Sequence, residues 1–319
     1  MAENKEISEK VLTVLKVIGE VLLMLLYGLY CYANLLFRVF VPAPKKSLDG
    51  EIMLITGSST GIGREAVLQL AKNHSRTTLV LWDWNDEENK KTASDAKKLG
   101  AKIFAYQLDV TDRLKVEETA KKVQQEVGDV TILWNNAGIV RAKDLINSKP
   151  EDLEKTVQIN LISQFWTLRA FLPSMIQNNH GHIVTTASLG SFFGYKYGAA
   201  YFAAKFGIRG YLESVQDELR PRVHPLNPNK IKFTTIFPSF IKTPLTKGVI
   251  LNVKGTNEKD VWLNAENVAT VIIDGIQRNL EKVIIPKGFE LVILFKSLTP
   301  FAFFRAVNNK LFDGDYKED

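Results

Sequence analysis

Ile52-Met53-Leu54-Ile55-Thr56-Gly57-Ser58-Ser59-Thr60-Gly61-Ile62-Gly63-Arg64 reads as a short apolar strand, a glycine turn and the start of a helix. Glycines mark many turns, and three of them close together are weak evidence by themselves. Their placement between a strand and a helix is what matters. Glycines there let backbone N–H groups come close to a pyrophosphate, and the helix N-terminus then faces its negative charge. Gly57, Ser59, Gly61, Ile62 and Gly63 are therefore candidate dinucleotide contacts.

Outward from this stretch, apolar runs alternate with helical patterns. The runs are Ile52–Ile55, Leu79–Trp82, Ile103–Tyr106, Ile132–Trp134, Ile183–Thr186, Phe233–Phe237 and Val283–Ile285. The helical stretches between them include Arg64–Lys72, Lys90–Leu99, Lys115–Val127, Glu154–Gln177, Ala203–Leu219 and Ala265–Asn279. Continuous apolar strands point to a parallel sheet buried on both faces. Their alternation with helices predicts a doubly wound α/β fold of the Rossmann type, as one domain over residues 49–290.

The predicted strand ends carry polar residues. Asp83 lies 26 residues after Gly57 at the end of the second strand. A carboxylate there can accept from both hydroxyls of an adenosine ribose and repels a 2′-phosphate, which favours NAD over NADP. No Lys or Arg sits in the turn before Arg64 to offset it. A helix cap is the plainer reading of such an acid. Asp109 closes the third strand, either as an adenine contact or as a turn acid. Asn135-Asn136-Ala137-Gly138 follows the fourth and brings backbone near the cofactor, although a simple turn has the same composition.

Ser188 ends the fifth strand, and Tyr201 and Lys205 follow at a spacing of four, on one helical face. A phenol titrates near ~10. An adjacent ammonium favours the phenolate, so the pair can exchange a proton with an alcohol or a ketone. Ser188 can hold the same substrate oxygen. Tyr195 and Tyr197 have no lysine four residues on and read as loop or pocket residues.

Taken in order, Thr56-Gly57-x-x-x-Gly61-Ile62-Gly63, Asn135-Asn136-Ala137-Gly138, Asn160, Ser188, Tyr201 and Lys205 resemble the short-chain dehydrogenase/reductase family. The resemblance spans about three quarters of the chain, residues 49–290. It implies that Asn160 completes a catalytic tetrad by holding a helix backbone open around a water. It also implies that Pro238, Ile241 and Thr243 contact the nicotinamide half, and that such chains pair as homodimers. The family's usual Pro-Gly after the sixth strand is Pro238-Ser239 here, which leaves that turn open. Within the family the chain is similar to the epidermal-type retinol dehydrogenases and the lipid-droplet 17-beta-hydroxysteroid dehydrogenases. That similarity implies an apolar alcohol or ketone as substrate, at the endoplasmic reticulum membrane or a lipid droplet with the catalytic domain in the cytosol.

Both ends of the chain stand apart. Val11–Val41 is apolar apart from Lys16, Glu20 and Arg38, with 17 uncharged residues from Val21 to Phe37. A helix of that length covers about 26 Å, close to a hydrocarbon core. Residues 1–41 are therefore read as a membrane anchor and 42–48, with two prolines and two lysines, as a linker. Residues 291–319 are read as an apolar membrane-proximal segment, interrupted by Lys296 and Pro300, followed by a polar tail; core or dimer packing is the other reading of the apolar part. The charge of +6 is spread without a dense basic tract, so nucleic-acid binding has no support. One cysteine, Cys31, permits no intrachain disulfide. His180 and His182 are read as polar loop residues ahead of a strand, and no metal site is expected.

The expectation is an NAD-dependent, membrane-associated enzyme of the retinol or hydroxysteroid class. A high cellular NAD/NADH ratio favours oxidation. The alternatives are the same chemistry on a long-chain lipid alcohol, or a catalytically silent lipid-surface scaffold.

Overall fold

In the computed structural model the described residues are 2–219, 230–247, 249–253 and 262–316. Internal contacts divide the chain into two units, residues 1–45 and 46–319. In the first, Ala2–Phe40 is a single helix of 39 residues, α1. Its stretch Ile7–Arg38, with hydropathy 2.0, is long and apolar enough to cross a membrane by length and composition. Leu23, Met24 and Tyr32 are among its exposed apolar side chains.

The second unit is built on seven parallel strands: β1 (Ile52–Thr56), β2 (Thr78–Asp83), β3 (Lys102–Gln107), β4 (Ile132–Asn135), β5 (Gly181–Thr186), β6 (Ile231–Pro238) and, last in the chain, Lys282–Ile285. The order across the sheet is (Lys282–Ile285)-β6-β5-β4-β1-β2-β3. All seven predicted runs are in it. Burial follows from the alternation of side chains along each strand. Met53, Ile55, Leu79 and Leu81 join one apolar layer, and Leu54, Val80, Trp82 and Leu133 join the other. Helices α2 (Gly61–Asn73), α3 (Asp86–Lys98) and α8 (Ala265–Gln277) run alongside the first layer. Helices α4 (Arg113–Glu126), α6 (Ser163–Gln177) and α7 (Ala199–Leu219) cover the second. The strand order reverses between β1 and β4, which opens a crevice at their carboxyl ends.

Local chemistry sets the helix starts. Asn85 caps α3 by accepting from Glu88 N, and Asp112 caps α4 by accepting from Lys115 N. Thr60, at the start of α2, provides no side-chain cap, so that helix begins with N–H groups free for a ligand.

The sequence predicted one helix over Glu154–Gln177. The structure has α5 (Pro150–Val157), a π-helical turn (Gln158–Ile162) and then α6. The cause is Asn160. Its side-chain amide donates to Thr156 O at 2.8 Å, taking the carbonyl that would accept its backbone N–H in an α-helix.

His182 also departs from expectation. It is 1 % exposed and lies within β5, not in a loop. Burial is tolerated because both ring nitrogens are engaged, Nδ1 with Lys46 Nζ at 3.0 Å and Nε2 with Thr234 Oγ1 at 2.8 Å. Burial, with Lys46 and Lys232 nearby, pushes its pKa down to about 3. The unfolded chain takes up this proton near ~6.5 and the folded chain does not. The stability tied to a neutral His182 is therefore complete above that value and is lost as pH falls towards 3. Urea titrations between pH 7 and 4 should show His182→Gln losing less stability over that interval than the wild type.

After the last strand, α9 (Phe289–Leu298) and α10 (Phe301–Leu311) replace one apolar segment, with the break at Thr299-Pro300. Leu291, Leu294, Leu298, Phe301 and Phe303 are exposed on them. The expected polar tail includes a strand, Phe312–Tyr316, paired antiparallel with Val249–Val253. After β6, residues 248 and 254–261 lie outside the described residues.

Candidate active site

The glycine turn closes onto the β4 loop. Gly57 has φ +66°, and a Cβ on it would lie 2.9 Å from Ala137 Cα. At Gly63 a Cβ would lie 2.1 Å from Gly57 O, so no side chain fits between the first turn of α2 and the strand end. Thr56 Oγ1 accepts from the N–H groups of Asn136 and Ala137, both at 3.0 Å. Asn136 Nδ2 donates to Gly57 O at 3.1 Å, and its Oδ1 accepts from Thr186 Oγ1 at 3.0 Å. Trp134 Nε1 in turn donates to Thr186 Oγ1 at 2.9 Å. This chain of bonds fixes β1, β4 and β5 to one another at the crevice edge.

Asp83 is 5 % exposed. Its Oδ2 accepts from Ser59 N at 3.0 Å and its Oδ1 from Asn85 N at 2.9 Å. The Ser59 N–H is thereby committed to the strand end. Arg64, the first cation after the turn, is paired with Asp95 at 2.9 Å. Ile62 is half-buried against the core, and Ile241 is buried in it. Pro238 ends β6, and the next residue, Ser239, donates its N–H to Ile285 O at 2.8 Å, so the turn forms without glycine. Thr243 meets the glycine turn, since a Cβ on Gly61 would lie 3.2 Å from its Cγ2. Asp109 does not join this group. It is exposed, and its Oδ1 accepts from Thr111 N and Oγ1 within its own loop.

Tyr201, Lys205 and Ser188 meet beside β5. Tyr201 is hydrogen-bonded to Ser188, and Lys205 Nζ is 5.6 Å from the Tyr201 ring centroid. Lys205 is 4 % exposed and donates to Thr186 O at 2.9 Å. Burial pushes its pKa down to about 7. Burial also raises the Tyr201 phenol, and the Ser188 hydrogen bond works against it. Ser188 Oγ accepts from Gly190 N at 2.9 Å, which places it at the head of a 3-10 turn, Leu189–Ser191.

Asn160 is fully buried, with its Nδ2 also donating to Ile139 O at 2.8 Å. A Cβ on Gly138 would lie 2.8 Å from Asn160 Oδ1, so glycine is what lets the β4 loop pass the asparagine. Gln164 Nε2 donates to Asn160 O at 2.8 Å, and Gln164 Oε1 accepts from Tyr211 OH at 2.7 Å. Sequence reasoning missed Gln164, Thr186 and Asn89, and read Thr56 only as the first residue of the glycine motif. Asn89 receives Ser58 Oγ at 2.9 Å and donates to Leu81 O and Tyr106 O. Only Gln164 carried a readable signal, its spacing of four from Asn160.

The residues fit a dinucleotide. The cradle at Gly57 and Gly63 would be filled by any Cβ, α2 starts without a side-chain cap, and a buried acid stands at the β2 end. Among the described residues no cluster of His, Cys, Asp or Glu could hold a metal.

The family profile described as short chain dehydrogenase matches residues 51–253. The chain is 36% identical over 288 residues to human 17-beta-hydroxysteroid dehydrogenase 13, covering 90% of this chain and 91% of that one. It is 35% identical over 297 residues to human estradiol 17-beta-dehydrogenase 11, covering 93% and 95%. A short chain dehydrogenase/reductase from Burkholderia phymatum, solved in complex with NAD, has the same fold, with a TM-score of 0.69 and 19% identity over 86% of this chain and 98% of that one. The chain belongs to the short-chain dehydrogenase/reductase family. It is an oxidoreductase that uses a nicotinamide dinucleotide and acts on CH–OH groups.

Proposed function

We propose that the protein is an NAD-dependent dehydrogenase of an apolar alcohol, of the hydroxysteroid or retinol class, working at a lipid surface. The observation that carries this reading is the meeting of Ser188, Tyr201 and Lys205 at the end of β5, linked through Thr186 and Asn136 to the glycine cradle. When bound, NAD supplies the acceptor for the hydride of the alcohol carbon. Ser188 orients the alcohol oxygen, and Tyr201 takes its proton. Lys205 supports the phenolate and holds the nicotinamide ribose. Asn160 keeps the α5–α6 backbone open for proton relay to Lys205. Gly57, Gly61, Ile62, Gly63, Asn136, Ala137 and Gly138 line the dinucleotide, with Thr243 at the carboxamide.

Asp83 sets the choice of dinucleotide. Each of its oxygens already accepts one backbone N–H, which leaves a lone pair on each for a ribose hydroxyl. The buried charge repels a 2′-phosphate. Asp83→Ala should shift the NAD-to-NADP ratio of kcat/KM towards NADP by about tenfold or more, equal to at least ~1.4 kcal/mol. Equal use of both dinucleotides by the wild type would refute this role.

The names of the relatives support a hydroxysteroid, and the exposed apolar surface of α1 supports delivery from lipid. The exposed face of α9 and α10 is a second lipid contact, on the endoplasmic reticulum or a droplet. Helices α5 to α7, with Phe206 exposed, are the proposed homodimer face. The deciding experiment is NADH formation by membranes containing the protein, over estradiol, all-trans retinol and 1-dodecanol. Turnover of none of them overturns the substrate class.

A further inference from the structure

The turn that carries Ser188 is gripped by two cations from separate elements. Arg209 donates through Nη1 to Ser191 O at 3.2 Å. Lys296 donates through Nζ to the next carbonyl, that of Phe192. Arg209 lies on α7, four residues after Lys205 and eight after Tyr201. Lys296 comes from α9, a mostly apolar helix whose Leu291 and Leu298 are exposed. Its ammonium sits among aromatic faces, 5.2 Å from the Phe193 centroid, 5.7 Å from Phe206 and 5.9 Å from Phe304. The Arg209 guanidinium carbon is 4.3 Å from the Phe192 centroid.

This arrangement has a cost. Burial, and then Arg209, hold the Lys296 pKa below its ordinary value. Two like charges placed on consecutive carbonyls repel each other, and a part-buried ammonium loses hydration. The carbonyls and ring faces offset that loss. An ordinary surface lysine on α9 would keep its head in water. Here the side chain instead reaches from the end of the chain back to the peptide that follows the Ser188 turn. Gly190 N donates to Ser188 Oγ within that turn, so a shift of the turn moves the Ser188 hydroxyl relative to Tyr201.

We propose that Lys296 is a positioning residue for Ser188, holding the Leu189–Phe192 turn from the C-terminal helix while Arg209 holds it from the catalytic helix. The proposal rests on the reading of Ser188 as the group that orients the substrate oxygen. It makes the exposed apolar helix α9 part of the support of the reaction centre.

The test compares the full-length wild type, Lys296→Met and Lys296→Arg in phosphatidylcholine vesicles. Methionine keeps the length and apolar contact of the stem but has no donor, and arginine restores one. Hydrogen exchange of peptides covering residues 188–198 should speed up in Lys296→Met, while those covering 52–66 stay unchanged. With NAD and whichever of the panel alcohols is turned over, kcat should fall about tenfold, because small misplacement of an orienting group is expensive. The dissociation constant for NAD should stay within about twofold, and Lys296→Arg should recover most of kcat, as expected for an interaction made in the transition state. Unchanged exchange in residues 188–198 overturns the proposal. So does altered exchange with unchanged kcat, or an equal loss of NAD affinity. A wild type that oxidises no alcohol overturns the functional reading instead, and the exchange comparison still decides whether Lys296 holds the turn.

Discussion

Tyr201→Phe should slow alcohol oxidation by about a thousandfold or more while leaving NAD affinity nearly unchanged, because only the proton-exchanging hydroxyl is removed. The ring keeps its place, edge-on to Phe202 at a 5.6 Å centroid separation. The lost group is the phenol hydrogen-bonded to Ser188. Lys205→Ala should fall differently. Lys205 is buried, donates to Thr186 O and lies beside the Tyr201 ring, so its loss should weaken NAD binding as well as turnover. The pH profile carries the sign. Burial raises the Tyr201 phenol, so the phenolate needed to accept a proton from the alcohol is scarce at neutral pH. Alcohol oxidation should therefore speed up as pH rises from 7, and ketone reduction should not. Steady-state kinetics and NAD titration of the two variants check this. A Tyr201→Phe enzyme retaining a tenth of wild-type kcat would remove Tyr201 from the proton step.

The sheet was legible because its strands are apolar on both faces. Ile52–Ile55 and Leu79–Trp82 could be placed as buried parallel strands before any contact was known. Tyr201 and Lys205 were legible because a helix converts a spacing of four into one face. Asn160 was known only through resemblance. Nothing in its sequence surroundings announces that its side chain will take the Thr156 carbonyl and open a π turn. His182 was misread because a polar residue beside a turn is usually wet. Its burial depends on Lys46 and Thr234, which lie 136 and 52 residues away in sequence. Lys296 was seen as an interruption of an apolar segment, and its Phe192 partner lies 104 residues away. Local patterns report periodicity, whereas these partners are set only when distant elements pack together. The electrostatics were legible in part. Spacing places Lys205 beside Tyr201, but only burial shows that the ammonium is itself pushed down to about 7.

Removal of residues 1–41 should release most of the protein from membranes and leave NAD binding intact. Every residue proposed to touch the dinucleotide lies between Gly57 and Thr243, and their contacts are internal to residues 46–319. Lys46 remains with that unit, its N–H bonded to Gln277 O at 2.7 Å and its ammonium to His182. The deleted helix carries more than a dozen exposed apolar side chains, among them Val21, Leu22, Leu25, Leu26 and Phe37. Each fully buried aliphatic or aromatic side chain contributes roughly 1.5–3 kcal/mol, so their sum dominates partitioning. Residual binding through α9 and α10 should disappear when Phe301→Glu and Phe303→Glu are added, since both side chains are exposed and a carboxylate is costly in lipid. Phe304 is unsuitable for this test. It is 9 % exposed and stacks on Phe193 at 5.7 Å, so a charge there would disturb the Ser188 side of the site. The deletion should keep turnover of a water-soluble alcohol and lose most turnover of one dissolved in lipid, as expected if α1 is the proposed lipid anchor. Fractionation followed by an alkaline carbonate wash measures the release. An intact protein that washes off in carbonate, or a deletion that remains fully membrane-bound, removes α1 from the role of anchor.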